Sequence, residues 1–245
     1  MSVKEHYDHH LGDLYSWMIG DFTTKQQEHQ LFLEANQLFP HSTKIALDLG
    51  AGHGIQSVSL AQLGYSVKAI DFNQQLLSEL ELNKQHLAIT GINDDIRRVR
   101  EYADQQPEVI ICWGDTLTHL ESFEDVRQLI IDCGDVLADN GRLILAFRDY
   151  STELTGDKRF IPVKNDDSKI LTCCLDYETD KVRVIDLLHV KTANGWQQKV
   201  SSYYKVRLLP EDIVLVIAQC GLIITFNEVV NRMTTIIATK AIKSQ

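Results

Sequence analysis

The stretch IALDLGAGHG, residues 45–54, runs from short apolar sequence into three glycines spaced two residues apart. A short apolar run bounded by glycine is typical of a buried strand. Glycine lets the following turn bend sharply and bring backbone N–H groups close to a ligand. No Gly-Lys-Ser/Thr follows, so the loop is not a P-loop. A dinucleotide-binding loop requires its third glycine where Ile55 stands. We therefore predict a strand, a ligand-binding turn at Gly50 and Gly52, and a helix that starts at Gly54.

A second apolar run, YSVKAID (65–71), ends in an acid and follows the predicted helix. In an open α/β sheet, ligands bind outside the carboxyl ends of the strands. Asp71 comes 19 residues after Gly52, at the end of the second predicted strand. This placement predicts a carboxylate that accepts hydrogen bonds from both hydroxyls of a ribose.

The same alternation of strand and helix continues beyond this unit. Strands are predicted at 44–50, 65–71, 96–102, 108–114 and 142–150, with helices at 54–64, 73–91 and 123–141. Such alternation predicts an α/β protein whose parallel sheet is covered by helices on both faces. A helix at 210–221 and two closely connected strands follow, which gives a Rossmann-like, seven-stranded, mostly parallel sheet with its last strand antiparallel.

The pattern changes between these parts. Residues 169–208 have no helical period and predict three strands joined by turns at YETDK and TANGW, an inserted small antiparallel sheet. We predict an N-terminal lid or helical segment at 1–43 and a ligand-binding core formed by 44–150 and 209–245. The inserted subdomain at 151–208 is expected to roof the substrate pocket or to form the interface of a homo-oligomer.

The charge of the chain argues against nucleic acid as a partner. It has 34 acidic and 24 basic residues, and its net charge is −10. A protein that binds phosphate backbones needs a basic surface. The one basic cluster, RRVR at 97–100, is predicted to be solvated strand surface. A small molecule is the expected ligand.

The cellular compartment is predicted from the absence of membrane-spanning, secretory and paired-cysteine patterns in the sequence. Its longest apolar runs are too short to cross a bilayer, and the N-terminus does not resemble a secretory signal. The chain has five cysteines, none in a Cys-x-x-Cys pair. We expect reduced thiols in a cytoplasmic protein without a membrane partner, with a strained disulfide between Cys173 and Cys174 as the alternative.

LDLGAGHG and the acid that ends KAID resemble the first and second motifs of the class I S-adenosylmethionine-dependent methyltransferases. The resemblance covers residues 44–150, and the trailing helix and strands fit the same sheet. It implies S-adenosyl-L-methionine as cofactor and S-adenosyl-L-homocysteine as product. The implied cofactor-binding residues are Asp48, Gly50, Ala51 and Gly52 around the methionine part, Asp71 at the ribose, Phe72, Asn73, Glu101 and Tyr102 around the adenine, and Cys112, Trp113 and Gly114 below the sulfonium.

EVIICWGDTLTHLES, GRLILAFRDYSTELTG and the insertion after them resemble the glycine N-methyltransferase branch. The resemblance implies that Arg148 binds a substrate carboxylate, since a guanidinium can hold both oxygens; pairing with a surface acid is the alternative. Asp115 stands where that branch usually has asparagine, and its charge favours an ammonium group or the sulfonium side of the pocket. His119 is expected either to orient its loop or to accept the released proton.

The N-terminal segment is rich in aromatic residues and histidine. Tyr15 and Trp17 are predicted to cover the cofactor, where aromatic faces attract a sulfonium, or to pack as an ordinary amphipathic helix. His6, His9 and His10 lie close in sequence, but no second cluster with zinc spacing accompanies them, so no metal site is predicted.

These features together predict a methyltransferase that moves a methyl group to the nitrogen of a small, carboxylate-bearing molecule. The catalytic residues would be Asp115, His119 and Arg148. The alternatives are a methyltransferase acting on oxygen or sulfur of a small molecule, and a protein that binds S-adenosylmethionine without transferring methyl.

Overall fold

The computed structural model describes residues 2–242. The strands are β1 Ile45–Leu49, β2 Ser66–Asp71, β3 Ile89–Asn93, β4 Val109–Cys112, β5 Arg142–Phe147, β6 Phe160–Asn165, β7 Lys169–Tyr177, β8 Lys181–Thr192, β9 Gly195–Val206, β10 Leu222–Val230 and β11 Met233–Lys240. The α-helices are α1 Val3–His6, α2 Gly12–Ile19, α3 Phe22–Ala35, α4 Ile55–Gln62, α5 Gln74–Asn83, α6 Phe123–Val136 and α7 Pro210–Gln219.

A seven-stranded sheet in the order β10-β11-β5-β4-β1-β2-β3 forms the centre of the described chain. Strands β1 to β5 pair in parallel, and β11 runs antiparallel to both β5 and β10. Apolar side chains of this sheet contribute to two buried clusters, because each strand alternates its side chains between two covered faces. The predicted fold class is confirmed.

A second sheet, antiparallel and in the order β6-β7-β8-β9, lies between β5 and α7 in sequence. It has four strands where the sequence predicted three. The additional strand β6 lies at the sheet edge and contains Pro162. Proline cannot donate a ladder hydrogen bond and is therefore confined to edge strands. A proline in a short segment therefore favours a loop over a strand in a prediction from sequence, and β6 was not predicted.

The third strand of the main sheet is not where the sequence predicted it. It spans Ile89–Asn93, whereas Ile96–Tyr102 is a 3₁₀ helix. The predicted helix at 73–91 ends at Asn83, and its last residues belong to β3. The β-branched residues of β3 favour the strand, and each arginine of the RRVR cluster pairs with an acid on the surface of the 3₁₀ helix or of α6.

The N-terminal segment lies between the two sheets. A π-helical turn, Tyr7–Leu11, connects α1 to α2. Leu11 and Leu14 pack with Leu171 and Leu188 of the inserted sheet. None of the helices in residues 2–242 has the length and apolar character needed to cross a membrane.

Candidate active site

A cavity of about 780 Å³ opens where the central strands end. Its walls come from the turn after β1, the end of β2, residues 93–97 and 114–121, the N-terminal segment and the end of β9. A cavity of this size suits a cofactor together with a small molecule.

The glycine turn forms one wall of this cavity. Gly50 and Gly52 have φ values of +77° and +53°, which residues with side chains rarely adopt. A Cβ on Gly50 would lie 2.3 Å from Thr116 Cγ2, and one on Gly52 would lie 3.4 Å from Tyr15 Cε1. The missing side chains therefore make room for Thr116 and Tyr15, which also line the cavity.

The N–H groups of this turn do not point at a ligand, contrary to the prediction. Gly50 and Ala51 donate to the Ile70 carbonyl at 2.8 and 3.1 Å. Gly52 donates to Asp71 Oδ2 at 2.8 Å. The neighbouring parallel strand ends beside the turn and supplies these acceptors, so the turn is held to β2 before any ligand binds.

Asp71 lies at the junction of turn and cavity. Its Oδ2 accepts the Gly52 N–H and its Oδ1 accepts the Asn73 N–H, both at 2.8 Å. Burial raises the pKa of Asp71, and the two amide donors act against that rise. Each carboxylate oxygen retains a second lone pair. The two oxygens can therefore still accept hydrogen bonds from neighbouring hydroxyls of a ligand in the cavity.

Glu101 and Tyr102 lie outside the cavity lining, because they belong to a 3₁₀ helix and not to the third strand. The Tyr102 hydroxyl donates to Asp94, and Glu101 pairs with Arg98. Residues 93–97, at the end of the true third strand, line the cavity instead. The signal was an Asn-Asp-Asp run directly after a β-branched stretch.

Asp48 and Ala51 lie behind the turn. Asp48 is buried and accepts a hydrogen bond from Ser57 Oγ at 2.6 Å. Burial, with a smaller contribution from neighbouring Asp71, raises its pKa to about 7 although the Ser57 bond acts to lower it. Neither residue lines the cavity. Asp48 holds the start of α4 through Ser57, and it acts on the turn only through that helix.

The residues after β4 divide between core and cavity. Cys112 is fully buried, and the Trp113 ring packs against His29 and Phe32, with centroids 4.8 and 5.1 Å away. Gly114, predicted beside them, lines the cavity. Trp113 therefore packs against α3 outside the cavity, and Gly114 lines the cavity at this point.

The N-terminal segment contributes aromatic residues to the cavity. Tyr15 and Phe72 line it as predicted candidates, and Tyr7 lines it as well. The Tyr7 ring meets the edge of Phe72 at 5.5 Å. Asn73, also predicted, lies outside the lining and donates from Nδ2 to Asp8 of this segment at 3.0 Å. These contacts close the segment over the carboxyl end of β2.

Trp17 points to the inserted sheet. Its Nε1 donates to Asp166 at 2.6 Å, and the ammonium groups of Lys164 and Lys169 lie 5.6 and 5.5 Å from its ring centroid. The cations that face the Trp17 ring are lysines of the chain itself, and Trp17 lies outside the cavity lining where a sulfonium was expected. Trp17 holds the segment to the inserted sheet.

Lys205 lines the other end of the cavity and forms a buried ion pair with Asp115, which lies behind the lining. Asp115 Oδ2 contacts the Lys205 ammonium and lies 3.3 Å from the Tyr150 hydroxyl. Its Oδ1 accepts the backbone N–H of Arg148 at 2.9 Å. Burial acts to raise the pKa of Asp115, but Lys205 and the other donors hold it below its usual value. The charge of Asp115 is therefore balanced within the chain and is not free for an ammonium ligand.

Arg148 does not line the cavity. Its side chain is 51% exposed, with Nε 3.7 Å from Asp115 Oδ2. Lys205 lines the cavity in its place, although sequence reasoning missed it. The signal was a lysine two residues after Tyr203 in the predicted third inserted strand; both residues face the interior, as alternation along a strand requires.

His119 lines the cavity next to this pair. Its ring stacks on Tyr203 at a centroid distance of 5.5 Å. Within residues 2–242, its Nδ1 is shielded from solvent and has no hydrogen-bond partner. Desolvation and the nearby Lys205 charge lower the pKa of His119 to about 3. The imidazole is therefore neutral near pH 7 and is a poor acceptor for a released proton.

Comparison with known proteins shows similarity to methyltransferases. Residues 46–141 match the family model described as "Methyltransferase domain". A glycine/sarcosine N-methyltransferase of Aphanothece halophytica is 28% identical over 60% of this chain and 57% of its own length. A ubiquinone biosynthesis O-methyltransferase of Xanthomonas euvesicatoria is 34% identical over 41% of each chain. The matches thus span about half the length of these curated relatives.

The fold has relatives among solved structures. CalS10 of Micromonospora echinaspora, an amino pentose methyltransferase solved with S-adenosylmethionine bound, superposes with a TM-score of 0.72 at 14% identity, over 91% of this chain and 92% of its own. Together these matches confirm the predicted resemblance to class I S-adenosylmethionine-dependent methyltransferases, of the glycine N-methyltransferase type. Residues 46–141 carry the match to the methyltransferase domain.

Proposed function

We propose, on the premise that residues 46–141 match the methyltransferase domain, that this protein transfers methyl from S-adenosyl-L-methionine to the nitrogen of a small, carboxylate-bearing molecule. One observation carries the proposal. A single cavity joins the Asp71 carboxylate and the glycine turn to the buried ion pair of Asp115 and Lys205. The first end suits a nucleoside, and the second suits a small charged acceptor.

The residues at the first end fit the cofactor. Gly50 and Gly52 leave an open wall beside Tyr15, Asp71 retains acceptor capacity for ribose hydroxyls, and residues 94–97 border the space for the base. S-adenosylmethionine supplies an activated methyl group when bound, and S-adenosylhomocysteine is the product. The protein's part is therefore to hold both molecules in line, which can lower a barrier by about 7–11 kcal/mol.

The residues at the second end support an anionic acceptor. Asp115 pairs with two cations, Lys205 and Arg148, and the second cation supports an anionic acceptor. Nitrogen as the accepting atom is supported by the glycine/sarcosine N-methyltransferase match, and oxygen by the ubiquinone biosynthesis O-methyltransferase match. The longer match favours nitrogen.

Calorimetry with S-adenosylhomocysteine, followed by transfer of labelled methyl to glycine, sarcosine and a metabolite extract, tests this function. We expect binding and a labelled N-methyl product. Absence of binding would overturn the proposal entirely. Tight binding without any labelled product would favour a non-catalytic S-adenosylmethionine-binding protein, and a labelled ether or ester would favour the oxygen-directed alternative.

The acceptor end of the site is expected to add no titration to the pH profile of the transfer. His119 is neutral, Asp115 ionised and Lys205 protonated near pH 7, so none of the three titrates between about pH 6 and pH 9. Since only an unprotonated amine can accept methyl, kcat/KM should rise with pH up to the pKa of the acceptor's own amine. Initial rates at saturating cofactor measure this. A break near pH 6.5 that disappears in His119→Asn would instead identify His119 as the base.

A further inference from the structure

The buried ion pair leaves hydrogen-bonding capacity directed at the cavity. Lys205 is buried, with 7% of its surface exposed, yet it lines the cavity. An ammonium has three N–H donors; Asp115 takes one and the Tyr150 hydroxyl engages a second, which leaves one for a ligand. Two tyrosine rings flank the ammonium, with the centroids of Tyr150 and Tyr203 each 5.8 Å from Nζ. This setting orients the ammonium and excludes water from its sides.

His119 lies on the same aromatic surface. Its ring stacks on Tyr203, which also contacts Lys205 Nζ. A shielded ring nitrogen without a partner, here Nδ1 within residues 2–242, costs free energy unless something binds it. A neutral imidazole can donate one hydrogen bond from the protonated nitrogen. Lys205 and the His119 ring thus line the same region of the cavity.

Charge balance favours an anion in that region. Asp115 faces both Lys205 and the guanidinium of Arg148, so one negative charge meets two positive ones. Arg148 is half exposed and outside the cavity, and water screens it. Lys205 is the cation that a bound molecule would meet in a dry environment, where charge-assisted hydrogen bonds are strongest.

We propose that Lys205 and His119 together bind the carboxylate of the methyl acceptor, that Asp115 is a positioning residue for Lys205, and that Arg148 is not the anchor. This inference rests on the proposed function. In this arrangement two separate donors, the charged Lys205 and the neutral His119, bind the carboxylate that the guanidinium of Arg148 was expected to bind through both oxygens. The acceptor's acid group then lies against Tyr203, and its amine extends toward the glycine turn.

Titration of acetate into the protein saturated with S-adenosylhomocysteine, with chloride-matched controls, tests the proposal without an identified acceptor. Wild type should bind acetate. The double variant Lys205→Met/Asp115→Asn removes both charges and leaves no unpaired buried ion. It should weaken acetate binding by about 10- to 100-fold, the range for loss of a charge-assisted hydrogen bond. Lys199→Met, at an exposed lysine of the same strand β9, is the matched control and should not change it.

A second variant tests the proposal even if the double variant does not fold. His119→Phe keeps the ring on Tyr203 and removes both nitrogens, and it should weaken acetate binding by about threefold or more. The inference is overturned by wild type that binds S-adenosylhomocysteine but not acetate, by unchanged acetate affinity in His119→Phe, or by Arg148→Met causing the larger loss. Failure of wild type to bind S-adenosylhomocysteine would instead count against the proposed function.

Discussion

Asp71→Asn is expected to weaken S-adenosylhomocysteine binding by about 100-fold or more, because each hydrogen bond to a charged group contributes about 1.5–3 kcal/mol. The Asp71 carboxylate accepts the N–H groups of Gly52 and Asn73, one on each oxygen. Asparagine has one carbonyl oxygen, and its NH₂ group would face one of these donors. The variant therefore loses a ribose acceptor and also disturbs the turn.

Calorimetry and urea denaturation on the same samples separate these two effects. Asp48→Asn is the informative comparison, because Asp48 is also a buried acid next to the turn but accepts from Ser57 behind it. Asparagine can accept that hydroxyl bond, so we expect Asp48→Asn to change cofactor affinity by less than about tenfold. Equal affinity of Asp71→Asn and wild type would show that this carboxylate does not bind the ligand.

The sequence predicts the part of the site whose residues lie close together along the chain. The apolar run 45–49, the glycines after it and Asp71 at the end of β2 are local signals, and strand pairing brings them together. The same reasoning failed at residues 96–102, where Ile96, Val99 and Tyr102 recur at every third position; this is the period of a 3₁₀ helix and not the two-residue alternation of a strand. Once that strand was misplaced, residues 93–97 were missed as well.

The acceptor end could not be predicted in this way. Asp115 and Lys205 are 90 residues apart in sequence and meet because the inserted sheet folds back onto the main one. The resemblance supplied Arg148 from a family pattern, whereas the choice between Arg148 and Lys205 depends on which side chain the fold directs into the cavity. A lysine in an apolar strand indicates burial with a partner, but the sequence does not identify the partner.

Gly50→Ala is expected to lower the free energy of unfolding by about 3–5 kcal/mol, combining backbone strain with overpacking. The φ of +77° at Gly50 disfavours alanine. In addition, the new Cβ would lie 2.3 Å from Cγ2 and 2.5 Å from Oγ1 of Thr116. Since Thr116 Oγ1 also donates to the Trp113 carbonyl at 2.9 Å, the side chain cannot turn away freely.

Gly221→Ala isolates the backbone part of this effect. Gly221 has a φ of +71°, and a Cβ there would meet nothing within 4 Å. We expect Gly221→Ala to cost about 1–2 kcal/mol, from strain alone. Thr116→Ala in the Gly50→Ala background should recover part of the difference between the two variants, because it removes the two nearest atoms and leaves the Thr116 Cβ at 2.9 Å. Urea denaturation of these variants, wild type and Thr116→Ala alone gives the coupling energy between positions 50 and 116. Equal losses in Gly50→Ala and Gly221→Ala would show that the turn needs glycine for its φ alone and that Thr116 does not pack against it.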